Sequence, residues 1–249
     1  MSILQAYDES EEILKASEMT KTDERLPEIA IVTFKQQLID MVANELGYEE
    51  YSGISAGDWI KIYKSEHVGK EFIVYRTLIG GASTAGMMEE MIARGVKKFI
   101  FFGSCGTLDK HIEPGAFIIP TEAYRDEGLS YHYLPVSDFV DVDSAGRLAK
   151  IFEKNKIKYV NTKTWTTDAL YKETVNKVRD RKTEGCLVVE MECASIMAVA
   201  KARGVEAYQF LYSADTLDND EWDIRTLRDE EKFILSKCFE IALKVVKEI

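Results

Sequence analysis

The chain has 249 residues, 46% of them hydrophobic, and a formal net charge of −11. That length suits one large α/β domain or two small ones, and the acidic balance opposes a nucleic-acid partner, because phosphate backbones need a basic face. No apolar run approaches a membrane span, and Met1-Ser2-Ile3-Leu4-Gln5 does not open a basic, apolar signal peptide. Cys105, Cys186, Cys193 and Cys238 have neither paired zinc spacing nor the density of a disulfide scaffold, so they read as reduced core thiols of a cytoplasmic protein. No Pro/Ser-rich stretch divides the sequence, and one domain over 1–249 is expected, with 1–27 as an N-terminal helical extension.

In chain order, the pattern predicts a helix over 10–19, a strand over 28–34 and a helix over 35–46. Strands follow over 59–63 and 71–78, then a helix over 83–94 and a strand over 97–102. The second half reads as strand 115–120, helix 144–155, strand 159–165 and helix 172–181. An apolar run at 186–189 then ends at a helix over 191–203, followed by strand 207–212 and helix 227–247. Two helices end in Arg-Gly-Val, at Arg94-Gly95-Val96 and Arg203-Gly204-Val205, where a glycine is the expected stop before the next strand. Strands alternating with helices make this an α/β fold, with a site expected at strand ends.

Four stretches carry candidate chemistry. Gly80-Gly81-Ala82-Ser83 opens a helix after an extended run, where glycines let backbone amides approach a ligand; an ordinary turn with Ser83 as N-cap explains it equally. Gly103-Ser104-Cys105-Gly106-Thr107-Leu108 reads as a small-residue turn that could aim a hydroxyl at a phosphate or sugar. It is not a nucleophile elbow, because Ser104 is one position out of the Gly-x-Ser-x-Gly register. Glu190-Met191-Glu192 sets two carboxylates where a strand meets a helix rich in small residues. Sugar hydroxyls would partner such carboxylates well, while the plainer account is a solvated helix start favoured by the helix dipole. Ser213-Ala214-Asp215-Thr216 ends an apolar strand, and burial there would raise an aspartate's pKa and fit it to donate a proton.

Together these stretches resemble the nucleoside phosphorylases that include the hexameric purine nucleoside phosphorylases and the uridine phosphorylases. The resemblance runs from about Ile73 to Asp215. It is carried also by Glu89-Glu90, Glu113-Pro114-Gly115-Ala116-Phe117-Ile118-Ile119-Pro120, by the run from Arg125 to Tyr133, and by Thr166-Thr167-Asp168-Ala169-Leu170-Tyr171. The fold it implies is a single domain with a mixed, partly barrel-like central sheet flanked by helices. It also implies a homodimer or a trimer of dimers, a small-molecule nucleoside and inorganic phosphate as substrates, and no cofactor or metal.

Residue by residue, the resemblance makes Glu192 the acceptor from the ribose hydroxyls and Met191 the methionine against the sugar, with Glu190 in the same wall. Ser104 becomes the hydroxyl donor to phosphate, Gly80 part of the glycine turn, and Leu170 the residue against the base. Asp215 becomes the acid that protonates a purine leaving group, and Arg225 an arginine engaging that acid. The family's phosphate-binding arginines are absent: Phe101 stands at one such position, and Val42-Ala43-Asn44-Glu45 carries none. Lys35 is the residue expected to replace one of them, and Arg76 and Lys64 are cations without a family counterpart. Hydrolytic relatives activate water with a glutamate near the first strand, which supplies none here. A nucleoside-binding protein with degraded catalysis, and a pyrimidine-specific enzyme, are the remaining alternatives. Lys172-Glu173-Thr174-Val175-Asn176 lacks the Gln and Arg that read uracil, so the base choice points to purine.

Overall fold

The structure is a computed structural model that describes residues 2–20, 25–56, 58–218, 222–225 and 231–249. Its strands are β1 (Ile29–Thr33), β2 (Glu49–Ala56), β3 (Asp58–His67), β4 (Lys70–Arg76), β5 (Lys98–Thr107), β6 (Phe117–Asp126), β7 (Phe139–Asp141), β8 (Tyr159–Thr167), β9 (Cys186–Glu190) and β10 (Glu206–Thr216). The helices are α1 (Ala16–Met19), α2 (Gln36–Asp40), α3 (Gly81–Ala93), α4 (Ser130–Tyr133), α5 (Ala145–Lys154), α6 (Val175–Thr183), α7 (Cys193–Arg203) and α8 (Glu231–Glu248). A π-helical turn, Met41–Glu45, continues α2.

The strands form one sheet in the order β10-β6-β8-β9-β5-β1-β4-β3-β2, with β7 beside β6. A further pairing of β10 with β5 closes β5, β10, β6, β8 and β9 into a ring. This is the mixed, partly barrel-like sheet that the motifs imply. Strand β5 belongs to both parts: it pairs in parallel with β1 and β10, then antiparallel with β9 through Gly106 and Thr107. All five residues of β1 are buried, as a parallel strand covered on both faces requires. One contiguous apolar cluster runs from Leu26 to Ile249, so the chain has a single main core.

Two expectations change. Of the helix over 10–19, only Ala16–Met19 forms. Ile13 is 99% exposed and Leu14 68%, and a short helix whose apolar residues meet nothing lacks the packing that stabilises helices in water. The N-terminal extension therefore holds a 3-10 turn and this one helical turn. The segment 103–106 is the continuation of β5 and not a turn. Its glycines admit other side chains: a Cβ on Gly103 would lie 3.0 Å from Phe34, and one on Gly106 2.8 Å from Leu217. The edge strand β2 and the short β7 and α4 carry no strong apolar period and escape the sequence pattern. The first residues of the helix over 227–247 lie outside the described residues.

Phe210 is fully buried and its ring meets Phe102, Phe117 and Phe152 at centroid distances of 5.5, 6.2 and 5.6 Å. From its place on β10 it is met by two further strands of the ring, β5 and β6, and by α5. Phe210→Ala should cost about 3–5 kcal/mol in urea unfolding, from lost burial plus the cavity left behind. A loss under about 1 kcal/mol would show that the ring closes without this aromatic cluster.

Candidate active site

The site is organised where two helices begin. Gly80 precedes α3 with φ +99°, a conformation that glycine adopts without strain. Gly81 allows the next step: a Cβ there would stand 2.1 Å from Ser195 Oγ of α7. With no side chain in the way, α3 and α7 pack closely, and the Gly80 amide donates to Glu192 Oε1 at 2.7 Å. Gly80 is thus the N-cap residue, while Ser83 lies inside the helix. Ser195 in turn donates to Glu127 Oε2 at 2.7 Å, tying α7 to the segment after β6. Glu192 is buried, and its carboxyl is pushed up to about 8, first by burial and then by the charge of Glu190.

Glu190, expected in the same wall as Glu192, has both carboxylate oxygens engaged by protein donors. Its Oε1 accepts from Thr166 Oγ1 at 2.5 Å and Thr164 Oγ1 at 3.3 Å. Its Oε2 accepts from the amides of Glu192 at 2.8 Å and Cys193 at 2.6 Å. Thr166 Oγ1 also accepts from the Ala194 amide at 3.0 Å. Glu190 and Thr166 therefore satisfy donors that the start of α7 would leave orphaned. The helix-start account holds for Glu190, with the difference that this carboxylate is buried. Met191 sits half-buried between the two glutamates.

Asp215 owes its placement to a bulge. Ser213 pairs with Cys105 and Asp215 with Gly106, so Ala214 is the extra residue of β10. A bulge re-aims the side chains that follow it. Here Asp215 Oδ1 lies 3.4 Å from where a Cβ on Gly106 would be, while Leu217 and Val189 come closer, at 2.8 and 3.1 Å, and leave a side chain at 106 no room. Burial raises the Asp215 pKa, and Trp222 Nε1 holds Oδ2 at 2.7 Å. The expected partner, Arg225, makes no hydrogen bond to this acid. Its guanidinium donates to the carbonyls of Ile112 at 2.6 Å and Lys110 at 3.0 Å, and its charge only draws the Asp215 pKa back somewhat. The buried Cys105 thiol is pushed up by burial and by the charges of both Glu190 and Asp215.

Leu170 begins a 3-10 turn, Leu170–Lys172, and is 45% exposed. Glu173 closes that turn, and its carboxyl is pushed up to about 7 by burial and then by the charge of Asp215. Sequence reasoning did not single out Glu173, Trp222 or Thr166 as members of the site, because each reaches it only through tertiary contact. Ser104 lies half-buried on β5. Lys35 is the N-cap position of α2, and its amide donates to Thr33 Oγ1 at 3.2 Å. Among the described residues no His/Cys/Asp/Glu cluster could hold a metal ion, and no helix is long and apolar enough to cross a membrane.

Two outcomes follow from this geometry. Glu190→Ala would strand two hydroxyls and two amides, at about 1–3 kcal/mol for each unsatisfied buried group, so several kcal/mol of stability should vanish in chemical denaturation. Glu190→Gln should fold, because threonine hydroxyls also accept hydrogen bonds; equal stability of the parent and Ala variants would remove Glu190 from this role. The Glu192 carboxyl ionises near about 4.3 in an unfolded chain and near about 8 in the folded one. Between those values the folded state keeps a proton that the unfolded state has lost, so stability falls as pH rises. Glu192→Gln should reduce that decline by on the order of 1 kcal/mol per pH unit. Parallel pH–stability curves for parent and variant would refute it.

Comparison with known proteins matches residues 28–249 to the family model described as the phosphorylase superfamily. A guanosine phosphorylase of Halorubrum lacusprofundi is 29% identical over 182 residues, covering 72% of this chain and 75% of that protein. A DeoD-type purine nucleoside phosphorylase of Bacillus cereus is 27% identical over 185 residues, covering 73% and 77%. The solved structure of purine nucleoside phosphorylase from Toxoplasma gondii in complex with immucillin-H superposes with a TM-score of 0.74 at 20% identity, covering 91% of this chain and 92% of that one, and so shares the fold. With nearly all of the described core inside the matched region, the chain belongs to the phosphorylase superfamily, a family of enzymes that includes the nucleoside phosphorylases its motifs resemble.

Proposed function

We propose that this enzyme cleaves the N-glycosidic bond of a purine nucleoside with inorganic phosphate, releasing the free base and ribose 1-phosphate. The observation that carries this reading is a pair of acids with separate surroundings, the buried Glu192 on the Gly80 amide and the half-buried Asp215 beside Gly106. Glycosidic cleavage passes through an oxocarbenium-like sugar as the base departs. An ionised Glu192 is costly where it is buried, and sugar hydroxyls would supply further donors. Those bonds strengthen as the sugar becomes cationic, which is binding realised in the transition state. Asp215, raised by burial, keeps a proton to give to the leaving base, while phosphate forms the new bond to the sugar carbon.

The purine preference rests on Asp215 and on Glu173. Raised by burial, Asp215 keeps a proton for a purine leaving group, and the stretch 172–176 that contains Glu173 carries neither the Gln nor the Arg that would read uracil. The names of the two relatives, a guanosine phosphorylase and a purine nucleoside phosphorylase, agree with that preference. Hydrolysis has less support, because Ile29–Thr33 carries no carboxylate to activate water.

Base release from purine nucleosides, followed with and without phosphate, tests the reading directly. Turnover should require phosphate and yield ribose 1-phosphate; release that ignores phosphate would overturn it. Asp215→Asn should slow purine nucleosides by on the order of 10²-fold or more while sparing substrates whose leaving group needs no proton. Equal losses on both substrate kinds would make Asp215 structural.

A further inference from the structure

The site described so far is acidic, and a phosphate dianion needs a cation. Lys64 pairs with Glu71 at 2.6 Å and Lys177 with Asp126 at 2.9 Å, and Arg225 is held by the carbonyls of Ile112 and Lys110. Arg76 differs from these. It ends β4, is half-buried, and forms no hydrogen bond or ion pair with a described residue.

Its position follows from the strand register. Arg76 pairs with Thr33 of β1, and Thr33 pairs with Phe102 of β5. Ser104 lies two residues beyond Phe102. Side chains alternate along a strand and register partners share a face, so Arg76, Thr33 and Ser104 stand on one face at the carboxyl ends of three adjacent parallel strands. Phe34 lies on the opposite face, against Gly103. Two strand spacings, roughly 10 Å, separate β4 from β5, a gap that an arginine side chain and a tetrahedral oxyanion fill together. This is also where the chain order reverses: β1 leads through α2, β2 and β3 to β4 on one side, and α3 carries the chain back across to β5 on the other. Ligands of open α/β sheets bind in the crevice at such a point.

We propose that Arg76 is the phosphate-binding cation of this site, gripping the oxyanion against the Ser104 hydroxyl at the ends of β4, β1 and β5. The proposal rests on the phosphorolytic reading and assigns its co-substrate a residue. The guanidinium fork binds two oxygens of a phosphate at once, which is the task left open by Phe101 and by the segment 42–45. Thr33, buried between Arg76 and Ser104, receives the Lys35 amide on its hydroxyl and keeps the floor of the crevice fixed.

Steady-state kinetics of Arg76→Met, varying phosphate at saturating nucleoside, tests this. The phosphate KM should rise roughly tenfold or more, with the nucleoside KM changing by less than about twofold. Arg76→Lys should fall between, since the charge stays and the fork is lost. A phosphate KM unchanged in a folded Arg76→Met would overturn the assignment. If that variant does not fold, Arg76→Lys decides: a selective rise in phosphate KM supports the proposal and parent-like kinetics reject it. A second readout separates this failure from that of phosphorolysis. Inorganic phosphate alone should raise the Tm of the parent and not of Arg76→Met; equal shifts, or no shift in the parent, would reject Arg76 whatever the reaction proves to be.

Discussion

The contact on which the site depends is the hydrogen bond from the Gly80 amide to Glu192. It forms because α3 and α7 begin side by side, and they can do so because Gly81 has no side chain to meet Ser195. Helix N-termini favour negative charge, and here two of them face the same pair of glutamates. Glu190 is engaged in closing the start of α7, which leaves Glu192 with the Gly80 amide as its main donor and acceptor capacity to spare. The two glutamates one residue apart therefore serve different ends: one builds the helix start, and the other is left available to a ligand.

The second constraint is the length of β5. It carries the open sheet through its first half and the closed ring through its second, so the strand that holds Ser104 also sets the height of Asp215. Gly103 and Gly106 keep both faces of that strand open, to Phe34 on one side and to Leu217 and Asp215 on the other. The bulge at Ala214 then brings Asp215 level with Gly106. A larger residue at 106 would collide with Leu217 and Val189, next to that carboxylate. Backbone geometry, more than any ion pair, thus decides where the acid stands.

Charge is divided across the crevice. Burial raises the carboxyls of Glu190, Glu192, Asp215 and Glu173. Carboxylates are costly to ionise when buried without donors, which suits the cationic sugar of the proposed reaction. On the other side, the ends of β1 and β4 present Arg76 and the buried Thr33.

The amino-acid sequence by itself determined the α/β alternation, the glycine stop at Gly204, the buried strand β1 and the acidic pair at 190 and 192. Each is a local pattern of period, turn chemistry or residue type, and local physics suffices to read it. It did not decide the roles within that pair, because only the threonines of β8 and the amide of Gly80 distinguish Glu190 from Glu192. Nor could it show that 103–106 is a strand, since glycine and serine read as a turn until β9 and β10 supply hydrogen-bond partners. The helix over 10–19 failed for the converse reason: its local pattern exists, but Ile13 and Leu14 find nothing to pack against. Arg76 carries no motif at all, and strand register alone places it on the face of Ser104, because which side chains share a crevice is a property of pairing between distant strands.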